Sequence, residues 1–222
     1  MKLGIICALK EEAKPYIDEL KSGKKKQIAK LTFYIGKLFG HSAVIVESGV
    51  AKVNAAIATQ ILVDKFGCDF IILSGTAGAL CESLHIGHTV VAREVHYHDV
   101  DAHNISDHIP FVPNAAFIPD KKFVEKAKNI DGVVIGNICC GEYFIKGAQR
   151  EEIKSRLKAI AVDMESAAVA HTCFVYDIPF AVIKSVTDCP KHDSQECFED
   201  NLAVASKNSF NVVKSVMEKS TK

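Results

Sequence analysis

Phe70-Ile71-Ile72-Leu73-Ser74-Gly75-Thr76-Ala77-Gly78 opens with four large apolar residues and runs into a glycine-rich segment. A short unbroken apolar run that ends in a turn signal reads as a buried strand, here leading into a Gly-x-x-Gly turn. Toward the N-terminus, residues 3–7 form a second such strand, and residues 10–20 follow directly with apolar side chains at helical spacing. Glu11 and Glu12 therefore stand at a strand-to-helix junction. Residues 31–35 and 43–46 flank Phe39-Gly40-His41 as a hairpin, which makes the sheet mixed, and residues 53–66 read as a helix. Toward the C-terminus, strand-like runs recur at 89–92, 133–138, 160–162 and 180–186, with helical patterns between most of them and a last helix from about Phe198 onward. The expected fold class is α/β: a single-domain three-layer sandwich over residues 1–222, its central mixed β-sheet flanked by helices, with no internal repeat or linker.

Composition agrees with one compact core. A chain of 222 residues fits a single hydrophobic core, and 48% apolar with 24% charged residues excludes disorder except in the charged end after Val216. Lys+Arg and Asp+Glu both number 27, so no net field draws the chain to nucleic acid or to an anionic membrane. The expected partner is a small molecule. Lys24-Lys25-Lys26 after Gly23 reads as a solvated loop. The eight cysteines lie mostly inside apolar runs with no CxxC pair, which points to buried, reduced thiols and away from a zinc ribbon. The first apolar segment is too short for a secretory signal and no run approaches membrane-spanning length, so the expected location is the cytoplasm.

In such a sheet, ligands collect beyond the carboxyl ends of the strands. The residues there are Glu11-Glu12, Ser48-Gly49-Val50, Gly75-Thr76-Ala77-Gly78, residues 141–145, Asp163-Met164-Glu165 and Thr187-Asp188. Taken singly, each has an ordinary structural reading. Glu11, Glu12, Asp163 and Glu165 suit the first turns of helices, where acids complement the dipole. Asp188 before Cys189-Pro190 is a turn residue, and Phe144 is a core aromatic. Together they say more, because three acids at the ends of separate strands converge on one crevice, and unpaired acids converge only at a cost. Convergent carboxylates serve acid/base chemistry, and the N–H groups of a glycine-rich turn can face an anion or a water.

The ordered motifs Lys2-Leu-Gly-Ile-Ile-Cys-Ala-Leu-Lys-Glu-Glu12, Ser48-Gly-Val-Ala-Lys-Val-Asn54, Ser74-Gly-Thr-Ala-Gly78, Tyr97-His-Asp99-Val-Asp101, Ala161-Val-Asp-Met-Glu165 and Ser185-Val-Thr-Asp188 run through nearly the whole chain. In order and spacing they resemble those of the methylthioadenosine/S-adenosylhomocysteine nucleosidases. The resemblance implies the nucleoside phosphorylase/hydrolase fold, hydrolysis of the N-glycosidic bond of 5′-thio-substituted adenine nucleosides, no cofactor, and a homodimer. It implies that Asp188 protonates N7 of the departing adenine, with Thr187 beside it at the purine edge. Glu12 would orient and deprotonate a water on the opposite face of the sugar, and Glu165 would grip the ribose hydroxyls and balance the oxocarbenium-like charge. Phe144 would stack on the base and Ile145 bond it through its backbone. Met164 would lie along the sugar, Val50 on the apolar 5′ side, and Thr76 near the water, with Ala77 and Gly78 completing the wall.

The chain also departs from that pattern. Lys184 stands where the resembling proteins commonly carry an arginine near the water, keeping the charge and losing the planar fork. Ala51 replaces a glycine, Glu142 an aspartate and Cys140 a serine. Ile105 is expected to cap the partner subunit's 5′ site, and Ile109-Pro110-Phe111-Val112 suits either a dimer contact or the core. The alternative activity is that of a purine nucleoside phosphorylase, which clamps phosphate with arginines. This chain has only Arg93, Arg150 and Arg156, none of them ahead of the 75–78 segment, and Glu12 would repel phosphate. His96-x-His98-Asp99-x-Asp101-x-His103 offers metal-ligand residue types at short spacing, but the strand breaks within it, so the expectation is a structural segment and no metal. A non-catalytic nucleoside-binding protein would have lost one of Glu12, Glu165 or Asp188, and all three are present.

Overall fold

The computed structural model describes residues 1–108, 112–190 and 195–219. In chain order the elements are β1 (Lys2–Cys7), α1 (Lys10–Glu19), β2 (Lys21–Ile28), β3 (Leu31–Leu38), β4 (His41–Glu47), α2 (Lys52–Phe66), β5 (Phe70–Ala79), β6 (Thr89–Tyr97), α3 (Ala102–Ser106), α4 (Lys121–Ala127), β7 (Val133–Cys140), α5 (Gln149–Leu157), β8 (Ala159–Asp163), α6 (Ser166–Val175), β9 (Phe180–Asp188) and α7 (Gln195–Glu218). The strands form one mixed sheet in the order β2-β3-β4-β1-β5-β8-β7-β6-β9. β9 also pairs with β5, so the last five strands in that order close on themselves while the β2 side stays open.

β5 is the strand on which the sheet divides. Its first half pairs in parallel with β1, from Leu3↔Phe70 to Ile6↔Leu73, while its far end turns to β8 through Gly78↔Val162 and Ala79↔Ala161. Along its other edge it follows β9 from Ile71↔Phe180 to Gly78↔Asp188. The period of two then sorts its side chains between two cores. Ile71 and Leu73 join Ile6, Val46, Leu62 and Val169 beneath α2 and α6, whereas Phe70 and Ile72 join Ile5, Tyr16, Phe210 and Val213 beneath α1 and α7. Every residue of β5 is buried, as expected for a strand covered on both sides.

Two expectations change. Residues 75–78 are not a turn but the continuation of β5, because both edges of the segment have partner strands to satisfy their backbone groups. Lys24, Lys25 and Lys26 are not in a loop either; they lie in β2, paired with Ile35, Tyr34 and Phe33 of β3. β2 is an edge strand whose residues are nearly all exposed, so no apolar alternation marks it, and its lysines discourage further strand pairing at that edge. Ile105 is half-buried and packs against the α2/α6 core at a surface hollow separate from the cavity described below. Ile109, Pro110 and Phe111 lie outside the described residues, and Val112 is buried.

Candidate active site

A cavity of about 490 Å³ opens at the carboxyl ends of β1, β5, β8 and β9. This is an ordinary size for a small-molecule site. Glu12, Val50, Thr76, Ala77, Gly78, Phe144, Ile145, Met164, Glu165, Thr187 and Asp188 all line it. Lys184 does not line it; its ammonium is buried behind Glu165.

Glu12 comes from the first turn of α1 and is 2% exposed. Its Oε2 accepts from the N–H groups of Ala8 (2.9 Å) and Leu9 (3.1 Å), which is the backward half of a capping box and ties the carboxylate to the end of β1. Its Oε1 accepts from the Thr76 N–H and hydroxyl, both at 2.8 Å. The capping role and the site role belong to the same side chain. Gly75 makes the approach possible, since a Cβ there would lie 2.4–2.7 Å from the carboxylate. The Thr76 hydroxyl is a rotor, so it can release a lone pair of Oε1 to another donor.

Glu165 precedes α6, and its neighbour Asp163 caps that helix by accepting from Ser166 N–H (3.1 Å) and hydroxyl (2.6 Å). The Lys184 ammonium lies 3.0 Å from Asp163 and 3.2 Å from Glu165. Burial alone would push the Lys184 pKa down, but the carboxylates of Asp163, Glu165 and Glu12 outweigh it and hold the ammonium charged well above the usual lysine range. Burial pushes the Glu165 carboxyl up, against the pull of Lys184. The second Glu165 oxygen accepts from Ala51 N–H at 2.9 Å. Ala51 has φ 83° and ψ 165°, a region that only glycine occupies without strain, so this donor is held in place at a cost of about 1–3 kcal/mol.

Asp188 ends β9. Its Oδ1 accepts from the Thr187 hydroxyl at 3.0 Å, and its Oδ2 from Arg150 Nη2 at 2.5 Å. Phe144 stands edge-on to Phe198 of α7, with ring centroids 6.5 Å apart, so together they form an aromatic wall near Asp188. Ile145 is buried in a small core with Leu80 and Ile153, which anchors the segment after β7. Arg150 and Phe198 were not legible as site residues, whereas Asp163 was marked by its place at a strand end but not as the partner of Lys184. Arg150 sits in the polar run Gln149-Arg-Glu-Glu152, which looks like a solvated helix face, and Phe198 like an ordinary core aromatic.

The histidine and aspartate residues of 96–103 disperse to separate partners. Asp99 binds the Lys52 ammonium at 2.8 Å and the Glu142 N–H at 2.9 Å, Asp101 caps His103, and His96 meets Glu94. Among the described residues, no three such side chains stand together as metal ligands.

Two stability predictions follow from the buried charges and the strained backbone. A lysine pKa raised by folding contributes stability that is fully present below the unfolded value of 10.5 and is lost as pH rises through the folded value. At pH 7, Lys184→Met should therefore lower the unfolding free energy in urea by about 3–5 kcal/mol, the usual result of leaving buried charges unpaired. A loss below about 1 kcal/mol would mean that the cluster is not held by charge. Ala51→Gly should raise the unfolding free energy by about 1 kcal/mol net, as relieved strain exceeds the added chain entropy.

Comparison with known proteins agrees with this geometry. The phosphorylase superfamily model matches residues 2–218. The 5′-methylthioadenosine/S-adenosylhomocysteine nucleosidase of Staphylococcus haemolyticus is 36% identical over 226 residues, covering 97% of this chain and 99% of the relative. The Pseudoalteromonas translucida protein of the same name is 36% identical over 231 residues, covering 100% of this chain and 98% of the relative. Among solved structures, the Colwellia psychrerythraea nucleosidase in complex with adenine superposes with TM-score 0.89 at 37% identity, covering 98% of this chain and 94% of that one. The Streptococcus pneumoniae nucleosidase with a transition-state inhibitor gives TM-score 0.90 at 30% identity, covering 98% and 99%. A buried crevice of three acids and an aromatic wall on this sheet, with full-length similarity of this degree, means that the chain belongs to the phosphorylase superfamily and, within it, to the family of the 5′-methylthioadenosine/S-adenosylhomocysteine nucleosidases.

Proposed function

We propose that this protein hydrolyses the N-glycosidic bond of 5′-methylthioadenosine and S-adenosylhomocysteine, releasing adenine and the 5′-thio-substituted ribose. The observation that carries this reading is the meeting of Glu12, Glu165 and Asp188 in one cavity with Phe144. Adenine leaves readily only when N7 takes a proton, and Asp188 at the aromatic wall is the group to supply it. As the bond breaks, its electron pair passes to the purine and the sugar becomes oxocarbenium-like. Glu165, held by Ala51 and Lys184, meets that charge and the ribose hydroxyls. A water attacks C1′ from the opposite face and its proton passes to Glu12, the Thr76 hydroxyl turning from the carboxylate to the water. Val50 and Met164 give the 5′ thioether an apolar wall without hydrogen-bond demands.

Phosphorolysis fits less well. The described residues lining the cavity include no lysine or arginine, the nearby cations Lys184 and Arg150 are engaged by carboxylates, and Glu12 would repel phosphate. A homodimer is part of the proposal. It is supported by Val53 of α2 and Val175 of α6, which leave apolar side chains exposed at a hollow that Ile105 also lines, and by the exposed Ile57 of α2. A reducing cytoplasm suits eight cysteines without a disulfide, and adenine and a 5′-thio-substituted ribose as products suit a role in nucleoside catabolism and methionine salvage.

Purified protein should release adenine and free methylthioribose from methylthioadenosine at the same rate with and without millimolar phosphate. Methylthioribose 1-phosphate as product would transfer it to the phosphorylases. Glu12→Gln and Asp188→Asn should each lose nearly all turnover while keeping the fold, Asp188→Asn with a lowered melting temperature because it leaves the buried Arg150 guanidinium without its carboxylate; half the wild-type rate in either would remove that residue's role. Gly75→Ala should lower kcat more than it raises KM, because the added methyl displaces the Glu12 carboxylate while leaving the adenine wall in place.

A further inference from the structure

Arg150 lies in the first turn of α5 and is 3% exposed, an unusual position for an arginine on a helix of otherwise mostly solvated residues. Its guanidinium reaches under the end of β5, where Nη1 donates to the Ala79 carbonyl and Nη2 donates to Asp188 Oδ2 at 2.5 Å. Both side chains of this ion pair are buried, yet only Asp188 faces the cavity. β5 leaves room for the pair at Gly78, where a Cβ would come within 2.8 Å of Asp188 Oδ2 and 3.2 Å of Arg150 Nη1. Arg150 also stands five residues beyond Ile145, so the segment that presents Phe144 and Ile145 to the cavity leads directly into the helix that grips the acid.

We propose that Arg150 is the positioning residue of the proton donor. The inference rests on the reading of Asp188 as general acid. The proton that Asp188 passes to N7 of the purine is first taken up from solvent on Oδ1, the oxygen that the guanidinium does not hold; as it passes to N7, the pair of electrons left on that oxygen restores a full negative charge in a buried site. The guanidinium is already aligned on that carboxyl group, so it stabilises charge that grows as the proton leaves, without reorganisation. Its second bond, to the Ala79 carbonyl, keeps the fork fixed to the strand that lines the cavity. Substrate binding itself does not involve Arg150, so its effect falls on the chemical step.

The test is steady-state kinetics on methylthioadenosine with Arg150→Gln, Arg150→Lys, Asp188→Asn and the Arg150→Gln/Asp188→Asn double variant. Arg150→Gln should lower kcat about a hundredfold with KM changed less than about threefold. Arg150→Lys, which keeps the charge and loses the fork, should recover part of that loss. The double variant should be no slower than Asp188→Asn alone, because a residue that acts only through the acid has nothing left to act on. A kcat within threefold of wild type for Arg150→Gln would overturn the proposal, as would losses that multiply in the double variant, the signature of a general structural role. If Arg150→Gln does not fold, Arg150→Lys decides: a kcat equal to wild type overturns the proposal, and a reduced kcat with unchanged KM and melting temperature supports it. An Asp188→Asn variant of normal rate would instead remove the general-acid reading itself.

Discussion

The Lys184 ammonium lies between Asp163 and Glu165, and none of the three side chains is more than slightly exposed. Two carboxylates this close would repel one another, and burial would penalise each of them, so the cation is what permits both to stay at the ends of their elements. The consequences reach outward from there. Asp163 is free to cap α6, Glu165 is free to face the cavity, and Glu12, from the first turn of α1 beyond β1, adds its own field to the same ammonium. An arginine would have the same charge, but lysine gives a compact point of charge that both carboxylates can approach.

The sheet register supplies the space these charges need. In parallel pairing, opposed residues direct their side chains to the same face, and the two glycines of β5 stand opposite the two charged residues of β9, Gly75 against Lys184 and Gly78 against Asp188. Each glycine leaves a gap that a charged group fills, Glu12 over Gly75 and the Asp188–Arg150 pair over Gly78. Neither is there for a left-handed turn. The acids are thus held in two groups, one around Lys184 and one around Arg150, each with its own counter-ion. That separation gives the carboxylates different electrostatic surroundings within one cavity, the arrangement that the proposed acid and base roles require.

Local conflict is concentrated where the site needs fixed donors. Ala51 adopts a conformation suited to glycine, and its N–H is the group that meets Glu165. Such strain persists when surrounding structure enforces it, here by the start of α2 on one side and the buried carboxylate on the other. Near Asp188, the segment after β7 is pinned by Ile145 in its own small core, which leaves Phe144 beside the cavity and facing Phe198.

Most of the architecture was legible because buried strands leave an apolar record: residues 70–73, 3–7 and 180–186 could be read as strands from composition alone, and helical spacing marked α1 and α2. The acids at the strand ends were legible too, since strand order in an α/β sheet restricts where carboxyl ends can meet, and the ordered motifs supplied their identities. β2 was not legible, because a strand solvated on both faces has no alternation to show, and the extension of β5 through Gly78 was not, because glycine signals a turn unless a neighbouring strand claims its backbone. Arg150 stayed hidden for the same kind of reason. Its sequence neighbours are those of an exposed helix face, and only the packing of α5 against the end of β5 buries its guanidinium beside Asp188. Sequence by itself determined which residue types carry the chemistry and which segments form the sheet, since both are written in local pattern. Tertiary structure alone decided which charges share a counter-ion and which glycines make room for them, because those depend on register between strands far apart in the chain.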